Sequence, residues 1–151
     1  MNKNHLAIIV PCYNEKDVIT ETTSFLSRIL DQLVADGKIG KASIMCVDDG
    51  SKDATWEIIE RLSSENQYVK GLKLARNVGH QNALWAGLEW AAVNCDVSVS
   101  IDADLQDDPN AIIEMIDLFN QGKEVVYGVR CVRLGSGVVS QSLQSVRIVS
   151  R

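Results

Sequence analysis

Each short apolar run in this chain is followed by a cluster of polar and charged residues, and the segments between the runs carry helical spacing. Leu6-Ala7-Ile8-Ile9-Val10 is the first run, and Pro11 stops it. After it, Val18, Phe25, Leu26, Ile29, Leu30, Leu33 and Val34 recur every three or four residues, which predicts a helix with Asp17 as its cap. Gly37 and Gly40 end it. Ala42 to Val47 predicts a second strand, and Asp53 a cap for a second helix carrying Trp56, Ile59 and Leu62. A third strand is expected over Val69 to Ala75, a third helix over His80 to Val93 and a fourth strand over Val97 to Ile101. Asp108-Pro109 predicts an N-cap with proline at the first helical position, ahead of Ile112, Ile113, Met115, Ile116 and Phe119. Val125 to Tyr127 predicts a fifth strand. Strands alternating with helices imply an α/β fold: a mostly parallel sheet covered on both faces.

Ligands of such sheets bind beyond the carboxyl ends of the strands. The residues there are Pro11-Cys12-Tyr13-Asn14-Glu15, Asp48-Asp49-Gly50-Ser51, Arg76-Asn77-Val78-Gly79-His80, Asp102-Ala103-Asp104-Leu105-Gln106 and Gly128-Val129-Arg130. Polar groups therefore collect at one edge.

Composition narrows the class. The 151 residues are 46% hydrophobic and 23% charged, enough to bury a core and too apolar for disorder. No apolar run approaches the ~18 residues of a membrane helix. The stretch after Met1–His5 is too short for a signal peptide. Net charge is −5, which argues against a general nucleic-acid binder but leaves room for a local anion site. The widely spaced Cys12, Cys46, Cys95 and Cys131 form no C-x-x-C, so reduced thiols in a cytoplasmic protein are expected, with Cys12 and Cys46 in the core.

Asp102-Ala103-Asp104 is the sharpest chemical feature. Residues i and i+2 of an extended segment point the same way. Two carboxylates with Gln106 in step suit Mg²⁺ or Mn²⁺, which takes one or two carboxylates plus substrate phosphates. In isolation the same pattern describes a solvated turn; its place after an apolar strand and beside a second acidic strand end favours the ion. Asp48-Asp49-Gly50-Ser51 is either a turn and helix cap or a carboxylate that accepts from a nucleobase N–H. Asn14-Glu15 fits a helix start. Arg76 and Arg130 are candidates for anion contacts. His80 is expected to start its helix rather than act as a base, and Trp85 and Trp90, on nearly opposite sides of that helix, are expected to pack. No G-x-G-x-x-G follows the first strand, which disfavours a dinucleotide Rossmann domain, and no G-x-x-x-x-G-K-[ST] occurs, which excludes a P-loop NTPase. A phospho-acceptor receiver would carry its acidic pair after the first strand and a Lys after the fifth.

Ile9 to Glu15, Val47 to Asp53 and Ile101 to Asp107 together resemble the family 2 glycosyltransferases of GT-A fold. Arg76 to Leu84 and Val126 to Arg130 narrow the likeness to the bacterial branch that moves a sugar from a nucleotide onto a polyprenyl phosphate, as in dolichol-phosphate mannose synthases and bactoprenol glucosyltransferases. The resemblance covers about residues 5–130. It implies a GT-A, Rossmann-like domain over 1–130 and these roles: Pro11, Tyr13, Glu15, Asp48, Asp49 and Asp102 contact the nucleotide, with Asp49 reading the base. Asp102, Asp104 and Gln106 hold Mg²⁺ or Mn²⁺ on the diphosphate. Asp104 and Arg130 are the catalytic candidates, Arg130 near the acceptor phosphate. It further implies inversion at the anomeric carbon, a UDP-sugar donor ahead of a GDP-sugar, glucose or a similar hexose, and a polyprenyl phosphate acceptor. Self-association into a homo-oligomer is left open. A full-length relative would work at the cytoplasmic face of the inner membrane.

From Cys131 to Arg151 the chain is Ser- and Val-rich, has no acidic residue, and departs from the branch's basic segment, amphipathic helix and membrane helices. A truncation or frame change near residue 131 would account for this, leaving a tail that is disordered or pairs with another chain. Two classes stay open: a sugar-transferring enzyme or its donor-binding half, and a nucleotide-sugar or metal-nucleotide binding module without transfer activity. A nucleotidyltransferase is a lesser option, since it would want a Gly-rich phosphate loop with a Lys.

Overall fold

The computed structural model describes the backbone of residues 4–134 and 137–146 and the side chains of residues 4–126. The elements run β1 (His5–Cys12), α1 (Ile19–Ala35), β2 (Lys41–Asp48), α2 (Thr55–Glu65), β3 (Val69–Lys73), α3 (His80–Asn94), β4 (Val97–Ser100), α4 (Ala111–Asn120), β5 (Val126–Leu134) and β6 (Gly137–Val146).

Four strands form one parallel sheet in the order β3-β2-β1-β4. Alternate residues of β1 serve opposite faces, as strand geometry requires. Leu6, Ile8, Val10 and Cys12 pack with Leu26, Leu30 and Leu33 of α1, Ile59 of α2 and Ile116 of α4. Ala7 and Ile9 pack with Met45, Val47 and the small residues Ala83 and Ala91 of α3. The fit of α3 is close. A Cβ at Gly87 would come within 2.4 Å of Ile9 Cγ2. Among the described residues, one face thus carries α1, α2 and α4 and the other α3.

The fifth strand departs from expectation. β5 joins β6 in a separate antiparallel pair instead of extending the parallel sheet. Its apolar residues predict a strand but not its neighbour. The segment set apart in the sequence, 131–151, contributes to this hairpin as far as Val146.

Helix starts also shift. Asp17 does not cap α1. The Glu15 carbonyl accepts from the amides of Val18 and Ile19, so a backbone turn opens the helix one step later. Asp53 Oδ1 accepts from the Thr55 amide, and Asp108 Oδ1 from the Asn110 amide. Each makes an Asx turn just ahead of its helix. The alternation itself has a topological consequence. The chain winds β1-β2-β3 outward on one side, then returns to place β4 on the other side of β1. The crevice at the carboxyl ends of β1 and β4 is the switch point where such sheets take ligands.

Candidate active site at the sheet edge

A cleft of about 330 Å³ opens at that switch point. Pro11, Tyr13, Glu15, Asp49, Asp102 and Asp104 all line it. Of the five strand ends expected to converge, those of β1 to β4 do, while Gly128–Arg130 lie within β5 and not after a strand. Cys12, Asn77, Gly79, His80, Ala83 and Ala103 complete the wall.

Two loops are fastened together below it. The Asn14 amide donates to Ser51 Oγ at 3.0 Å, and the Lys52 amide to Asn14 Oδ1 at 2.9 Å. The Glu15 amide donates to Thr55 Oγ1 at 2.9 Å. Asn14 sits at φ +53°, a left-handed conformation that Asn tolerates because its side chain bonds locally. These bonds hold Glu15 at the cleft. Its carboxyl is pushed above the usual 4.5, first by burial and then by the charges of Asp104, Asp53 and Asp102. The neighbouring carboxylates thus crowd Glu15, an arrangement that a bound cation would relieve.

The adjacent carboxylates after β2 separate. Asp49 is 3% exposed, lines the cleft, and its Oδ1 accepts from the Val78 amide at 2.7 Å. Asp48 is fully buried and is not a lining residue; its Oδ1 accepts from the Ser51 amide at 3.3 Å. Neighbouring residues leave a strand on opposite sides, so one pair supplies one group to the cleft.

The Asp102–Asp104 segment is held from two sides. His80 Nε2 donates to Asp102 Oδ1 at 3.0 Å. Thr22 Oγ1 donates to the Ala103 carbonyl at 2.5 Å. Gln106 does not line the cleft: it is exposed, and its amide donates to Asp104 Oδ1 at 3.3 Å. Leu105, at φ +51°, turns the chain between them, so the i+2 register that placed Gln106 in step with Asp104 does not continue. Arg130 lies outside the residues whose side chains are described.

His80 starts α3 as expected, and its contact to Asp102 adds a role that helical position alone does not reveal. Trp90 packs on the second face, half-buried. Trp85 does not pack: it is 54% exposed and its Nε1 donates to Glu89 Oε1. Cys12, Cys46 and Cys95 are free and buried. The Cys12 thiol is pushed well up by its contact with Cys46 and by burial, so it presents no ready nucleophile to the cleft.

Among the described residues no group of three or more His, Cys, Asp or Glu side chains is arranged to hold a metal. Asp102 and Asp104 offer the hard oxygen donors that Mg²⁺ or Mn²⁺ takes when substrate phosphates and water complete its shell. The residues present therefore fit a substrate-assisted divalent site.

The family model for glycosyl transferase family 2 matches residues 7–146. The chain belongs to that family. YkoT of Bacillus subtilis (strain 168), an uncharacterised glycosyltransferase, is 50% identical over 126 residues, 83% of this chain and 37% of YkoT. The undecaprenyl-phosphate 4-deoxy-4-formamido-L-arabinose transferase of Pectobacterium atrosepticum is 35% identical over 137 residues, 87% of this chain and 38% of that protein. S. aureus TarS 1-349 superposes with a TM-score of 0.57 at 21% identity over 80% of this chain and 33% of TarS. In its complex with UDP the figures are 0.51, 25%, 69% and 28%. The fold of this family 2 domain is accordingly GT-A, with the resemblance extending past residue 130. The chain spans well under half the length of the curated relatives it matches. Among the described residues no helix is long and apolar enough to cross a membrane.

Proposed function

We propose that this family 2 domain binds a nucleotide-diphosphate sugar, a UDP-sugar ahead of a GDP-sugar, and serves its inverting transfer to a polyprenyl phosphate. The observation that carries the reading is the convergence of Glu15, Asp49, Asp102 and Asp104 on one cleft at the β1/β4 switch point. The undecaprenyl-phosphate transferase relative supports the acceptor class, and the UDP complex of TarS supports the donor. We assign the donor site to residues 1–130 and a cytoplasmic location, at the inner-membrane face in a longer protein.

In this reading Pro11, Tyr13 and Asp49 border the base and ribose, with Asp49 accepting from a base N–H. Asp102 and Asp104 would hold Mg²⁺ or Mn²⁺ against the diphosphate, and Arg130 would face the acceptor phosphate. When bound, such an ion offsets charge growing on the leaving diphosphate. The acceptor phosphate oxygen forms its bond to the anomeric carbon as the bond to the diphosphate breaks. That oxygen is already ionised at neutral pH, so no strong general base is required of the cleft.

A second reading is a donor-binding module without transfer activity, favoured by the share of its relatives that the chain spans. Incubating the 151-residue chain with UDP-glucose, Mn²⁺ and a short polyprenyl phosphate separates the two. Sugar-lipid formation supports the enzyme. Tight UDP binding by calorimetry without product supports the module. No metal-dependent binding of UDP or GDP overturns both.

A further inference from the structure

The parallel ladder of β4 ends at Ser100, and the amide of Ile101 makes the last bond to β1, at the Ile9 carbonyl. Asp102, Ala103 and Asp104 therefore lie beyond the sheet's support. A turn closes from the Leu105 amide to the Asp102 carbonyl at 3.3 Å, a long bond. The middle peptide is held instead from α1.

Thr22 and Thr23 are adjacent, buried and spent differently. Thr23 Oγ1 donates to Ile19 O, four residues back in its own helix, the usual resting place of a helical threonine hydroxyl. Thr22 Oγ1 leaves the helix and donates to Ala103 O at 2.5 Å, across 81 residues of sequence. Both ends of this bond are sealed from water: Thr22 is 1% exposed and Ala103 2%. A short bond in a dry site fixes a peptide plane more firmly than a surface contact does. That plane joins Ala103 to Asp104, and the residues flanking Ala103, Asp102 and Asp104, are the two carboxylates of this segment that line the cleft.

We propose that Thr22 is a positioning residue for the Asp102–Asp104 pair. Its hydroxyl locks the Ala103 carbonyl inward so that both flanking carboxylates are presented together to the divalent ion and diphosphate. The inference rests on the reading of the cleft as a metal-dependent nucleotide site.

Thr22→Val keeps the shape and removes the donor; Thr22→Ser keeps the donor. Calorimetry of the 151-residue chain should show Mn²⁺-dependent UDP binding weakened about tenfold in Thr22→Val, the scale on which groups behind a metal ligand act. Thr22→Ser should stay near the parent. Binding of uridine without metal, measured by competition, should be the same in all three. Parental Mn²⁺–UDP affinity in Thr22→Val overturns the inference, as does an equal loss on uridine and on Mn²⁺–UDP, or failure of Thr22→Ser to restore binding. Amide exchange in the ligand-free chain separates this from the functional reading. Thr22→Val should speed exchange at Asp104 and Leu105 while leaving Ile8 and Ile9 of β1 unchanged. If the parent shows no Mn²⁺-dependent UDP binding, the functional reading and the positioning role fall together, whereas normal parental binding with no exchange change in Thr22→Val refutes Thr22 alone.

Discussion

Asp49 Oδ1 accepts from the Val78 amide at 2.7 Å, which ties the end of β2 to the loop that leads into α3. The carboxylate assigned to the base therefore also fixes the loop beside it. A carboxylate accepts at two oxygens, so one bond to Val78 does not exhaust it. Gly50 lies directly under the same loop, its missing side chain making room for the backbone of Arg76 and Asn77. Asn82 Nδ2 closes the turn from above by donating to Val78 O at 2.8 Å.

Gly50→Ala should destabilise the protein more than Gly37→Ala. Both glycines are left-handed, at φ +70° and +68°, so both substitutions carry a conformational cost of about 1–2 kcal/mol. At Gly37 an added Cβ meets nothing within 4 Å, whereas at Gly50 it would lie 2.4 Å from Asn77 N and 2.7 Å from Arg76 C. Backbone on both sides cannot rotate away, so a further ~1–3 kcal/mol is expected from the clash. Urea denaturation of the two variants gives the difference, and equal midpoints would show that the loop moves freely.

Asp104→Asn should lower Mn²⁺-dependent UDP affinity by at least about tenfold, by the reasoning that a neutral amide is a poor ligand for a hard divalent ion. Asp104 is exposed at the sheet edge, so the melting temperature should hardly change. Calorimetry with and without Mn²⁺ checks both halves. Unchanged affinity would remove Asp104 from the metal role.

Much of this site was legible because strand ends are. An apolar run such as Val97–Ile101 must stop where polar residues begin, and in a parallel sheet those stops share one edge, so the pattern alone brings the Asp48-Asp49 pair together with Asp102 and Asp104. Facing was harder. Asp48 and Asp49 are chemically identical, and only the exact residue at which β2 leaves the sheet decides which one reaches the cleft. Trp85 and Trp90 look equally apt to pack, because α3 has apolar residues around its whole circumference. Its buried side is marked by the small residues Ala83, Gly87 and Ala91, which permit close approach to Ile9. The Thr22–Ala103 bond spans 81 residues, and no local periodicity encodes it. The partner of β5 is the adjacent segment, hidden because the Ser- and Val-rich residues after Cys131 read as a tail and not as a strand.

Acid should weaken the fold through His5. Its Nδ1 donates to Asn94 O at 3.0 Å, which leaves Nε2 to accept from Ser43 Oγ at 2.9 Å, so the neutral ring fits the site. Burial, then the charges of Lys41 and Lys70, lower its pKa from 6.5, outweighing the opposing Asn94 carbonyl and Asp96. The unfolded chain thus takes up the proton more readily. Stability from this group is full above about pH 6.5 and is lost as pH falls through that value toward the lower folded pKa. The ring is partly solvated, so the effect should stay below about 1 kcal/mol. Urea midpoints at pH 7.5 and 5.5 should differ less in His5→Asn than in the parent. An undiminished difference would assign the acid sensitivity elsewhere. Glu15, whose pKa is raised first by burial and then by Asp104, Asp53 and Asp102, acts in the opposite sense, since protonation relieves that cost.

Asp49 and Asp102 should fail differently. A carboxylate that accepts from the base matters whether or not metal is present, while one that serves the diphosphate through an ion matters only with both. Asp49→Ala should weaken uridine binding by about 1.5–3 kcal/mol, the scale of one hydrogen bond to a charged group. Because the Val78 amide also loses its acceptor, amide exchange at Val78 should rise in this variant. Asp102→Ala should leave uridine nearly untouched and lower Mn²⁺-dependent UDP affinity, and it should free His80, whose Nε2 now lies 3.0 Å from Asp102 Oδ1. The imidazole signals of His80 in NMR should shift accordingly. The contrast follows from the strand order, which sets β2 and β4 on opposite sides of β1 and so on opposite walls of one cleft. Uridine affinity is best read by competition against a labelled nucleotide. Equal losses for both variants on both ligands would mean that the two carboxylates have been given each other's work.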